Sequence, residues 1–181
     1  MRLFVAVALP DRIAELVAAL PRPDRPRVRW TRPPQWHVTL RFLGDAPPDD
    51  VMTALRLALE SDGPRSEPTA TLGPATGWFP GRRILQVPVA GLGELAELVR
   101  RATASWGPED EPPYSGHLTV ARTTGRSRGP IGLAGTPLSA RFAVDELGLY
   151  SSRTSSQGAV YARVAAFQLV TAGRHPAGSE G

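Results

Sequence analysis

The 181-residue chain predicts an α+β fold made of two similar halves, and three patterns carry that expectation. An apolar, strand-like run opens each half, and a stretch with helical spacing follows it. Each half then begins a further strand on a histidine that has a threonine two residues later.

In the first half, Leu3, Val5 and Val7 lie in a short apolar run before Pro10. Asp11 then stands as an N-cap ahead of Ile13, Leu16, Val17 and Leu20 at helical spacing. A Pro/Arg-rich connection over 21–27 leads to a strand at 28–30, a prolyl turn at Pro33 and Pro34, and a β-rich run over 36–43. The next helix starts near Asp49 or Asp50, carries Val51, Leu55 and Leu59, and ends before Gly63 and Pro64. The second half repeats the order: a strand at 84–89, a helix carrying Leu92, Leu95, Leu98, Val99 and Ala102, then a strand at 117–122. Val5 and His37 are 32 residues apart and Val87 and His117 are 30 apart, spacing that suits a duplication. Two last strands are expected over 142–150 and 159–169, joined by the Ser/Gly-rich turn 151–158. Residues 1–172 read as one bilobal domain and 173–181, with His175, as a disordered tail.

Composition narrows the chemistry. Hydrophobic residues make up 41% and charged residues 21%, ordinary globular usage, with no run that approaches a membrane span. The apolar start lacks a small-residue cleavage site, so it reads as a strand and the protein as cytoplasmic; a monomer is expected. With no cysteine and no lysine there is no thiol nucleophile, thiolate metal site, P-loop lysine or Schiff base. Outside the tail, His37 and His117 are left as the groups able to exchange protons near neutral pH. All 21 basic residues are arginine and the net charge is +4. A GC-rich coding bias and an anionic partner both fit that count, and net charge alone does not separate them.

The strongest local signal is WHVTLRF over 36–42 paired with GHLTVAR over 116–122. Strand alternation puts His37 and Thr39 on one face with Val38 and Leu40 in the core, and treats His117 and Thr119 alike. Two imidazoles and two hydroxyls facing one anion suit phosphodiester hydrolysis. One imidazole takes a proton from water, the other gives one to the leaving oxygen, and the hydroxyls bond the non-bridging oxygens as charge builds. With 13 threonines in the chain, two such pairings among three histidines arise by chance about once in a hundred. The same alternation brings Arg41 to the face of His37, with an outward salt bridge as its other reading.

The two motifs and their flanks resemble the two-histidine phosphoesterases, specifically the RNA 2',3'-cyclic phosphodiesterases once described as 2'-5' RNA ligases. The similarity runs through RLFVAVALP, VRWTRPPQWHVTLRFLG, GWFPGRRILQVPV, GHLTVAR and ELGLYSSRTSSQGAVYARVAAFQL. It implies a bilobal, duplicated α+β fold, with two antiparallel-rich sheets flanking a central cleft, helices outside and no cofactor or metal. By the same resemblance His37 and His117 are catalytic, with His117 activating water and His37 protonating the leaving oxygen, or the reverse. Thr39, Thr119 and Arg122 hold the substrate, and the partners are RNA ends or small cyclic nucleotides, with no membrane. The implied reaction opens a terminal 2',3'-cyclic phosphate to a 2'-phosphate. Cleavage or ligation of a 2'-5' linkage and non-catalytic binding of RNA ends are the alternatives.

One departure is Gly116, where family members usually have Pro before the second histidine. Trp36, Trp78, Phe79 and Tyr150 offer faces for stacking on a terminal base, and the core is the commoner place for each. Asp49 with Asp50 reads as a helix start, and Glu109, Asp110 and Glu111 as a charged loop.

Overall fold

The computed structural model describes residues 1–108, 110–155 and 158–169. The expected tail with His175, and Glu109 of the charged loop, lie outside the described residues.

The strands are β1 (Arg2–Ala8), β2 (Val28–Trp30), β3 (His37–Asp45), β4 (Thr69–Leu72), β5 (Gly77–Trp78), β6 (Ile84–Ala90), β7 (His117–Thr123), β8 (Ala140–Ala143), β9 (Glu146–Ser155) and β10 (Gly158–Gln168). The helices are α1 (Asp11–Ala18), α2 (Pro48–Asp62) and α3 (Gly93–Ala102). The strands follow one antiparallel path, β10-β9-β1-β3-β7-β6-β4-β8, with β2 added beside β7 and β5 beside β6. Its two four-strand halves meet at β3 and β7, where Val38 and Leu118 form the one registered pair. The two expected sheets are therefore joined edge to edge at this seam.

Alternation decides which face each side chain takes. Leu3, Val5 and Val7 on β1, Val38 on β3, Leu85 and Val87 on β6, and Leu118 and Val120 on β7 are all buried in one core. That core is closed by Ile13 and Val17 of α1, Val51 and Leu55 of α2, and Leu95 and Val99 of α3. A helix face that supplies apolar residues at three- and four-residue spacing needs such a partner. The helices thus cover one face of the strands, and the histidines begin the strands whose other face stays open.

Two elements differ from the sequence expectation. The run 142–150 is two strands, because Val144 N donates to the carbonyl of Pro68 and the carbonyl of Asp145 accepts from Leu169 N. At that point the chain crosses from β8, paired with β4, to β9, paired with β1. The expected turn over 151–158 is also shorter, since β9 continues to Ser155 and β10 begins at Gly158. The short strands β4, β5 and β8 carry too few alternating residues to announce themselves in the sequence.

Candidate active site

The seam sets the site. Val38 and Leu118 are fully buried and paired across it, so their neighbours His37, Thr39, His117 and Thr119 turn to the opposite, open face, where each is half-buried. On the flanks, His37 is in register with Ala8 and Thr39 with Ala6, while His117 is in register with Pro88 and Thr119 with Gln86.

Each imidazole is held from behind by the backbone. The Nδ1 of His117 lies 2.9 Å from the carbonyl oxygen of Ser115, two residues earlier. His37 makes the matching backbone hydrogen bond to Gln35, again two residues earlier. With the Nδ1–H of His117 donated to the Ser115 carbonyl, Nε2 is the ring nitrogen left to exchange a proton.

The surroundings then diverge. Around His37 stand Phe4 at 4.9 Å between ring centroids, Tyr161 edge-on at 5.0 Å and Tyr150 at 6.3 Å. Around His117 there is Phe79, edge-on at 4.7 Å. Burial holds the His37 imidazolium well below its ordinary range, down to about 4, and the positive charges of Arg122 and His117 push the same way. His37 is therefore neutral in the free protein at neutral pH.

Arg122 reaches the site through an irregularity. Between β6 and β7 the register shifts at Leu85/Gln86, so Val120 and Ala121 are both buried and Arg122 turns to the open face, exposed. The matching shift between β1 and β3, at Val5/Ala6, buries Leu40 and Arg41 together and turns Phe42 outward, 59% exposed. The expectation that Arg41 shares the face of His37 is thus corrected: the bulge breaks the alternation on which it rested. Arg41 is 6% exposed on the helix side, where its Nε donates to Glu111 at 2.9 Å. Its Nη1 donates to the carbonyls of Thr103 and Arg100 and to the Thr103 hydroxyl, closing the C-terminal end of α3.

Of the expected core aromatics, Trp36 is buried with its Nε1 donating to the hydroxyl of Thr31, and Trp78 packs against the core. Tyr150 and Phe79 are the corrections, since each lies against a histidine. Phe4 and Tyr161 also lie against His37, and Phe42 lies against Phe4; sequence reasoning marks none of the three. Phe4 is registered with Phe42 on one side and Tyr150 on the other, so the three form a row across β3, β1 and β9. The signal that could have found Phe42 is its place five residues after His37, as Arg122 is five after His117. Gln86, registered with Thr119, has a buried side-chain oxygen without a hydrogen-bond partner.

Gly116 also has a structural reason. A Cβ there would collide with the carbonyl oxygen of Val89, which is also beside the backbone bond from Val89 N to the Gly116 carbonyl. The β6 edge rather than a proline ring fixes the approach to His117. Among the described residues, no group of three or more His, Asp or Glu stands close enough to hold a metal ion, and no helix is long and apolar enough to cross a membrane.

The family described as LigT like Phosphoesterase matches residues 3–68 of this chain. Among solved structures, TT0787 of Thermus thermophilus is 28% identical with a TM-score of 0.78, over 95% of this chain and 100% of its own. LigT of E. coli complexed with NADP+ is 26% identical with a TM-score of 0.68, over 94% of this chain and 98% of its own. The E. coli LigT structure complexed with phosphate is 25% identical with a TM-score of 0.66 over the same shares. Comparison with curated proteins returns no match. Residues 3–68 of this protein are thus similar to the LigT-like phosphoesterases, and nearly the whole chain shares the fold of TT0787 and LigT.

Proposed function

We propose that this protein is a phosphoesterase that opens a terminal 2',3'-cyclic phosphate of RNA to a 2'-phosphate by metal-independent acid/base catalysis. The observation that carries the reading is the seam. Two His-x-Thr strands meet there as neighbours, each imidazole hydrogen-bonded from behind to the backbone two residues earlier. A general base and a general acid are both needed at one phosphate, and two imidazoles supply them without a cofactor.

In the reaction a water oxygen forms a bond to phosphorus and the bond from phosphorus to the 3' oxygen breaks. The base removes one proton from the water and the acid delivers one to the 3' oxygen. Thr39 and Thr119 donate to the non-bridging oxygens, and Arg122 offsets their charge. With His117 as base and His37 as acid, the acid's proton has to be retained by the substrate. A phosphate seated beside His37 offsets the Arg122 charge, which adds to burial in keeping the free imidazole neutral, and so raises its affinity for a proton. E. coli LigT has been crystallised with phosphate and with NADP+, ligands that carry the phosphate chemistry this reading requires.

The test is incubation of purified protein with RNA ending in a 2',3'-cyclic phosphate, in EDTA, with identification of the product isomer. A 2'-phosphate product is expected. An intact cyclic end overturns the reading, and activity lost to EDTA overturns its metal-free mechanism.

A further inference from the structure

The arginines are not spread evenly. Segments 25–32, 79–84 and 121–130 hold nine of the 21 arginines and none of the 17 carboxylates, in 24 residues. The rest of the chain carries 12 arginines against 17 carboxylates. A coding bias acts on the whole sequence and does not separate charge in this way. The net charge of +4 therefore combines one strongly basic region with an otherwise acidic molecule.

The fold gathers the three segments at one end of the site. Arg29 on β2 is registered with Arg122 on β7, and Arg122 with Ile84 on β6. The loop that follows β7 is tied to both other segments. Thr124 N donates to the carbonyl of Arg27 and Gly129 N to that of Arg82. The Arg27 guanidinium donates to the Ser127 hydroxyl at 3.0 Å and that of Arg83 to the Gly125 carbonyl at 2.6 Å. Arg27 and Arg82 both hold positive φ, 64° and 54°, where glycine would sit with less strain. The loop they anchor presents Arg126 and Arg128, both exposed. None of the ion pairs among the described residues involves any of these arginines.

We propose that this surface, running from Arg122 through Arg29 to the 124–129 loop, binds the phosphate backbone of an RNA strand whose end lies at His37 and His117. It rests on the functional reading above and deepens it: the preferred substrate is an oligonucleotide, and contacts beyond the terminal nucleotide carry its affinity. Unpaired guanidiniums on a fixed loop fit phosphate oxygens, and such contacts position a strand without reading its sequence. Continuity with Arg122, whose charge is felt by His37, favours RNA over an anionic membrane.

The experiment compares a cyclic mononucleotide with a decaribonucleotide ending in a 2',3'-cyclic phosphate, for the full chain and for Arg126→Gln/Arg128→Gln. In the unaltered protein the decamer should have the higher kcat/KM, falling steeply with salt. In the double variant the decamer's kcat/KM should drop about tenfold or more at low salt, with the salt slope shallower by about one log unit per log unit. The mononucleotide's should change less than twofold. Loss on both substrates alike, or on neither, overturns the surface, as does lost binding to phosphatidylserine vesicles with the decamer unaffected. Binding of a decamer lacking the cyclic phosphate, measured by fluorescence anisotropy, separates the two proposals. If the protein opens no cyclic phosphate yet binds this decamer through Arg126 and Arg128, the functional reading fails and the RNA surface stands.

Discussion

The two halves of this molecule repeat a backbone frame and fill it differently. Each half supplies a strand that starts on a histidine, holds that ring through the backbone two residues earlier, and carries a register shift after the threonine. The residues at equal offsets then part: Arg41 and Phe42 in the first half answer to Ala121 and Arg122 in the second. The first imidazole sits among Phe4, Tyr150 and Tyr161, and the second beside Phe79. Duplication of a backbone gives two imidazoles, and unequal neighbours make them unequal groups. That inequality is what a general acid and a general base require, because two identical imidazoles would titrate together.

The sharpest way to break the comparison is to remove one ring at a time. His37→Ala and His117→Ala should each lower turnover by about a hundredfold or more, and the double variant by far less than the product, since the pair acts as a unit. A single variant with full activity would reject its histidine. If His37 is the acid, a substrate with a nitrophenolate leaving group should partly rescue His37→Ala and leave His117→Ala inactive. Rescue of the opposite variant would exchange the roles.

The second effect belongs to Arg41, which the first half buries where the second half has Ala121. Its guanidinium supplies three hydrogen bonds to the end of α3 and one to Glu111. Arg41→Met leaves those carbonyls buried and unmatched, and should cost about 2–4 kcal/mol of stability, read by urea unfolding. KM for a cyclic phosphate should not move. A shift in KM with unchanged stability would return Arg41 to the substrate side, where simple alternation had put it.

How far the site could be read follows from these same residues. His37, Thr39, His117 and Thr119 were legible because two motifs with matching offsets need only a period of two, and that period holds up to the threonines. It fails at Leu40 and at Val120, where an extra residue enters each strand and side chains beyond it change face. Nothing local marks such a bulge, so Arg41 was misplaced and Phe42 missed, while Arg122 rested on the resemblance. The break between β8 and β9 was hidden for another reason. Residues 142–150 alternate well enough for one strand, and only the long-range bonds of Val144 and Asp145, to Pro68 and Leu169, divide them. Tertiary pairing rather than local propensity decided that boundary.

The smallest effects, and the most direct measure of the asymmetry, lie in the titration of His37. Its imidazole is held at about 4, against about 6.5 for an unfolded histidine. Between those values the unfolded chain binds a proton that the folded protein refuses, so stability rises with pH across this window. The contribution is complete above about pH 6.5, is lost as pH falls towards 4, and amounts to at most about 3 kcal/mol, because His37 is partly exposed. Unfolding followed from about pH 7 to about pH 4 should show this loss, and His37→Asn should flatten it. Arg122→Met removes the second of the causes and leaves burial, the first, in place. In that variant the His37 resonance should titrate at higher pH than in the unaltered protein, yet still below an ordinary histidine. If the NMR titration of His37 is the same with and without Arg122, the charge at the open face does not reach the first imidazole. The inequality of the two halves would then come from Phe4, Tyr150 and Tyr161 alone.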